Sequence, residues 1–106
     1  MLDWYKAKNL NDEQGRPTGG SAEGTGIKIE WQNGPLGRGA DRKEPNGAFV
    51  ETVIAIAKQR LEYYEESEFN CLENAMAILK LEEALMWLHK RTRDREERQV
   101  EGTHAQ

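Results

Sequence analysis

Thiol and imidazole chemistry are nearly absent from this chain. Its one cysteine, Cys71, cannot close an intramolecular disulfide, which suits a reducing cytosol. Cys71 also opens an apolar run, where a thiol is ordinarily inert. The two histidines, His89 and His104, make no zinc-ligand spacing with it, so no metal and no cofactor are expected. Long apolar runs are lacking too. The most apolar stretch, Cys71–Leu88, contains Glu73, Lys80, Glu82 and Glu83, a charge density that argues against a membrane span. "MLDWYKAKNL" has no apolar core of the kind a signal peptide needs, so a soluble, cytoplasmic protein is expected. Positive charge is in deficit: 15 Lys and Arg face 19 Asp and Glu, a net charge of −4. That balance disfavours bulk DNA or RNA binding, which demands a broad cationic footprint. It leaves room for a small anion held by a few local arginines.

Catalytic patterns are equally thin. "GIKIEWQNGPLGRG" lacks the Walker spacing, and the adjacent Glu82 and Glu83 point about 100° apart on a helix, unlike a working carboxylate pair. No catalytic residue is assigned, and the chain reads as a non-enzyme.

What is present divides into two halves of one small α+β domain, residues 1–106. Residues 1–45 are polar and hold most of the ten glycines. "GRPTGGSAEGTG" reads as a turn or flexible loop. "GIKIEW" alternates, with Ile27, Ile29 and Trp31 on one face, and reads as a half-buried strand to which "DWYK" could pair. "QNGPLGRGADRKEPNG" is a second loop. An N-terminal antiparallel hairpin or sheet is therefore expected.

From Asn46 the period becomes helical, and residues 46–98 predict a two-helix hairpin. Phe49, Val50, Val53, Ile54, Ala57 and Leu61 place a first helix at about 47–65, with Asn46 as its cap. Asn70 with Glu73 resembles a capping box for a second helix running to about Arg98, roughly 43 Å long. Residues 99–106 form a tail. Thirteen of the 18 residues Cys71–Leu88 are apolar, and the five polar ones do not gather on one face. Such a helix needs burial on most sides, which predicts a homo-oligomer. The alternative is a β-segment that folds back and completes a monomeric core.

Five of the 15 basic residues lie between Lys90 and Arg98. Arg91, Arg95 and Arg98 fall within about 60° of one another on a helix, and such like charges repel. One reading is a solvated helix end, with Asp94 pairing Arg98 and Glu97 pairing Arg93. The other is a clamp for phosphates, to which guanidinium forks are suited. Asn74 is a polar residue on an apolar helix: a structural hydrogen bond, or an amide that reads a base edge. Tyr63 and Tyr64 end the first helix near Asn74, as core filler or as a base-stacking surface. Asn74 and Arg91 stand roughly 25 Å apart along one helix, so they can share a small ligand only across an antiparallel neighbour.

"GTGIKIEWQNGPLGRGADRKEPNGAFVETVI", "QRLEYYEES", "FNCLENAMAILKLEEALMWLHKRTRDRE" and "VEGTH" resemble a phage and prophage family of small hairpin proteins, the anti-CBASS and anti-Thoeris sponges. The resemblance spans about residues 24–104 and is most specific from Leu81 to His104. It implies sequestration, without cleavage, of cyclic oligonucleotides or cyclic ADP-ribose isomers. It also implies helical assembly, often as hexamers, with pockets between protomers. By resemblance, Tyr64 and Asn74 of one chain face a base. Arg91 and Arg95 of a neighbour hold phosphates, Thr103 lies at the rim, and Arg98 serves this pocket or a second. Two departures stand out: Leu72 where relatives carry Arg in "CREN", and Gln99 where they carry Gly before "VEGTH". Three rival readings remain: a signal-degrading phosphodiesterase, an oligomeric protein-interaction module whose Arg turn meets an acidic partner, and a nucleic-acid regulator.

Overall fold

The computed structural model describes residues 4–98 and Thr103. The architecture is α+β. It comprises two compact units, one reaching to Phe49 and including Thr103, the other helical from Val50.

The first unit is a three-stranded antiparallel sheet in the order β1-β2-β3: β1 Lys6–Asn11, β2 Pro17–Gly24 and β3 Ile27–Glu30. The strand read from "GIKIEW" is β3. The glycine-rich stretch read as a loop is instead the central strand β2, and β1 pairs with β2, not with β3. Gly20 explains why glycine stands inside a strand. It faces Asn9 where the β1 register shifts, its φ is 149°, and a Cβ there would collide with the Lys8 carbonyl. The turn before β2 is closed by Asp12. Its Oδ1 accepts from the backbone N–H of Gln14 at 2.9 Å and of Arg16 at 3.0 Å, and its Oδ2 pairs with Arg16 Nε at 2.9 Å. Donation from the Arg16 backbone, above all, holds the Asp12 carboxyl below its ordinary pKa. Across the sheet, Lys6, Glu23 and Lys28 form one row of alternating charge, and Ala7, Ala22 and Ile29 the next, on the opposite face.

After β3 the chain makes a parallel bridge, Trp31 to Ala48, around a closed loop. Asn46 was expected to cap a helix, but its side chain closes this loop. Its Oδ1 accepts from Asn33 N–H at 2.8 Å and its Nδ2 donates to Asn33 O at 3.1 Å, while Gln32 Oε1 accepts from Asn46 N–H at 2.8 Å. The first helix accordingly starts later than 47.

The second unit is the helical hairpin, α1 Val50–Glu65 and α2 Leu72–Glu97. Cys71, and not Asn70, caps α2: its Sγ accepts from Asn74 N–H at 3.4 Å, while Asn70 Nδ2 donates to Ser67 O at 3.0 Å. Glu65 Oε1 accepts from Cys71 N–H at 2.9 Å, which ties the end of α1 to the start of α2. Half-buried positions recur at alternating steps of three and four: Ile54, Lys58 and Leu61 on α1; Asn74, Ile78, Leu81, Leu85, Leu88, Thr92 and Arg95 on α2. Up to Leu88 this is the seam where the helices pack, and Lys58 crosses it to Glu82 at 3.8 Å.

The seam does not satisfy α2. Among the described residues no side chain is buried. A second stripe, Leu72, Met76, Leu79 and Met86, is 72%, 44%, 53% and 68% exposed. At 100° per residue it lies about opposite the seam. One helix thus carries two apolar faces and covers one of them, as the apolar excess of the sequence requires.

Candidate functional site

The two helices differ in length. α1 has 16 residues and α2 has 26, and with Lys58 opposite Glu82 α2 overruns the start of α1 by roughly 12 Å. Leu72 begins α2 beside the loop, and the overrun is therefore its C-terminal part, the Lys90–Glu97 segment and its cap Arg98. The basic turn of the sequence is carried past its partner helix.

On this overrun Arg91, Arg95 and Arg98 come together, with Trp87, Lys90 and Asp94, around an open groove of about 330 Å³. The charge pairing differs from the one expected for a solvated helix end. Asp94 is taken by Lys90 at 2.7 Å, and not by Arg98. Among the described residues neither Arg91 nor Arg98 has a side-chain ion pair. Arg98 caps the helix by donating its backbone N–H to Asp94 O at 3.1 Å, and the residue is exposed. Two guanidiniums of the stripe, those of Arg91 and Arg98, are thus left with N–H donors of the kind that suit an external anion.

Tyr64 and Asn74 occupy the other end of the hairpin. Both are half-buried beside the loop, and Asn74 accompanies Cys71 in the first turn of α2. Tyr64 is held by Arg60, whose Nε donates to the phenol oxygen at 3.1 Å; its guanidinium lies 4.9 Å from the Tyr64 ring centre and 5.0 Å from that of Tyr63. Seventeen residues of unbroken helix separate Asn74 from Arg91, roughly 25 Å. A single hairpin does not bring the two groups to one small ligand. Thr103 is half-buried in the N-terminal unit. Gln99, His104 and the rest of the tail reading lie outside the described residues. Leu72 opens α2 with its side chain exposed, at the head of the outer apolar stripe.

Sequence reasoning missed Trp87. It precedes Arg91 by four residues and shares the four-four-three spacing of the arginines, a signal that the residue order alone carries. A second groove is lined by Glu51, Met86, His89, Thr92 and Arg93. Within the described residues no helix is long and apolar enough to cross a membrane.

Comparison with known proteins identifies relatives. Residues 23–93 match the model of the Acb2/Tad1 hairpin domain. A protein named Thoeris anti-defense 1, from Bacillus phage SBSphiJ7, is 66% identical over 76 residues. That alignment covers 72% of this chain and 51% of the relative, so the chain spans about half the length of the curated relative it matches. The family match includes Tyr64, Asn74, Trp87 and Arg91 and ends before Arg95 and Arg98.

Proposed function

The chain belongs to the Acb2/Tad1 hairpin family, and from that membership we propose that it is a phage-type anti-defense sponge. It binds cyclic nucleotide immune signals, cyclic ADP-ribose isomers or CBASS cyclic oligonucleotides, and sequesters them uncleaved in the host cytoplasm. The observation that carries this reading is the arginine stripe of α2, whose Arg91 and Arg98 have no ion-pair partner among the described residues. The name of its phage relative, Thoeris anti-defense 1, supports the same role.

The site is completed by assembly. The outer stripe of Leu72, Met76, Leu79 and Met86 calls for a helical partner, and a second copy running antiparallel supplies one. Antiparallel pairing brings the loop end of one hairpin to the basic end of the next and removes the 25 Å separation. Tyr64 and Asn74 of one protomer then face the base, and Arg91 and Arg95 of its neighbour hold the phosphates. Thr103 sits at the rim, and Arg98 serves this pocket or a second one. The proposed assembly is a hexamer in which residues 1–106 act as one domain.

The deciding experiment incubates the purified protein with cyclic dinucleotides, cyclic trinucleotides and cyclic ADP-ribose isomers. Thermal shift reads binding, and heat release with chromatography reads the fate of the ligand. Stabilisation with intact ligand recovered is the expected result. A cleaved product would make the protein a phosphodiesterase. Absence of any shift would favour a protein-interaction module, a reading the exposed apolar stripe also suits.

A further inference from the structure

The arginine stripe accounts for phosphate but not for the aromatic that lines the same groove. Trp87 is 65% exposed, and the groove of about 330 Å³ around it is otherwise lined by Lys90, Arg91, Asp94, Arg95 and Arg98. Around the helix, Arg91 stands about 40° and Arg98 about 20° from Trp87, whereas the middle of the outer apolar stripe lies about 60° away on the other side. Trp87 therefore sits at the boundary between the apolar stripe and the cations. Along the axis, Trp87 precedes Arg91 by four residues, roughly 6 Å. That rise suits a nucleotide laid along the helix, base toward Trp87 and phosphate toward Arg91.

The chemistry of the neighbours supports a stacking role. An indole offers the largest π-face of any side chain, and bases stack on such faces without regard to their sequence identity. Asp94, the one carboxylate on the groove, is bound to Lys90 at 2.7 Å, so its charge is partly masked toward an anion. The groove volume falls at the lower end of the range for small-ligand sites, enough for one nucleotide unit.

We propose that Trp87 stacks on a base of the bound nucleotide, on the same protomer whose Arg91 and Arg95 hold its phosphate. This rests on the sponge reading and deepens it: one chain supplies an aromatic face and a cationic grip side by side, and the Tyr64 ring of a neighbour is not the sole aromatic partner. It makes Trp87 a specificity-determining residue, selecting ligands that carry a base over bare phosphates.

The test compares wild type, Trp87→Ala, Trp87→Phe and Arg91→Ala as full chains, with cyclic ADP-ribose, cyclic di-AMP and inorganic pyrophosphate as probes. Calorimetry gives each affinity, tryptophan emission reports stacking, and native mass gives the assembly. Trp87→Ala is expected to weaken binding of the nucleotide by about tenfold or more while leaving pyrophosphate binding and native mass unchanged. Trp87→Phe restores most of the affinity. The nucleotide quenches wild-type emission, and the quenching disappears in Trp87→Phe although binding persists. Equal nucleotide affinity in wild type and Trp87→Ala would overturn the assignment and leave the sponge reading standing. A joint loss of affinity and native mass in Trp87→Ala would overturn it in favour of an interface residue. A wild type that binds neither nucleotide overturns the stacking assignment, and the sponge reading then stands or falls separately on the wider panel of cyclic trinucleotides and other cyclic ADP-ribose isomers.

Discussion

The two ends of the helical hairpin answer their polar groups in opposite ways. At the loop end, the chain satisfies itself. Cys71 caps α2, Glu65 receives the Cys71 N–H, Asn70 donates to Ser67 O, and Arg60 straddles Tyr63 and Tyr64. At the far end, α2 runs past α1, and Arg91 and Arg98 find no ion-pair partner among the described residues. Folding alone explains the first arrangement and leaves the second with uncompensated like charge. Under the proposed function, the open end is where a ligand or another copy contributes.

That comparison can be broken in graded ways. The largest effect is expected from the outer stripe. Replacing Leu79 and Met86 together by Asp removes two apolar side chains from a proposed interface, each worth about 1.5–3 kcal/mol when fully buried. Native mass spectrometry should show the assembly collapsing to monomers; an unchanged mass would mean that the stripe is not the contact. Next comes the open end. Arg91→Ala should weaken nucleotide binding about 10- to 100-fold, from the loss of charged hydrogen bonds, at unchanged native mass. The analogous change at the closed end, Arg60→Gln, should shift the Tyr63 and Tyr64 ring resonances in the free protein; unaltered resonances would remove Arg60 from the packing of that end. Smaller again is the cap: Cys71→Ser supplies a better acceptor at the α2 start and should raise stability by about 0.5–1 kcal/mol in urea denaturation.

The smallest effect concerns the sheet, as a region outside the hairpin. Asp12 has a folded pKa below its unfolded one, chiefly because the Arg16 backbone N–H donates to its carboxylate. Its contribution is therefore fully present above the ordinary aspartate range and is lost as pH falls through the folded pKa. Asp12→Asn should flatten that acid limb of the stability profile without affecting the neutral-pH affinity for nucleotide. An acid limb of unchanged slope would show that the turn carries no titrating stability.

The hairpin was legible in sequence because its signal is redundant. Apolar residues from Val50 to Leu61 and from Leu72 to Leu88 repeat at helical spacing, and the helices end within a few residues of their expected bounds. β3 was legible through the alternation of Ile27, Ile29 and Trp31. β2 was not. "PTGGSAEG" has no apolar alternation, and its glycines suggest a loop, whereas Gly20 answers to crowding by Lys8 across the sheet, a neighbour invisible in local sequence. Both cap assignments failed for one reason. Asn46 and Asn70 are good caps in isolation, but the amide of each had a loop carbonyl to satisfy. Of the candidate site, the clustering of Arg91, Arg95 and Arg98 followed from spacing alone, as did the separation of Asn74 from Arg91. The preference of Asp94 for Lys90 over Arg98 did not, since both lie four residues away and only side-chain geometry separates them.

The amide closure at Gln32, Asn33 and Asn46 has a consequence for how this lineage can vary. Because the latch is made by residues at the two feet of the loop, the segment between them is a cassette. Its length can change at a cost of only about 0.6 kcal/mol per doubling while the feet stay tied. The latch thus lets residues 34–45 change in length, as with an inserted epitope or fluorophore, while the two feet of the loop stay joined.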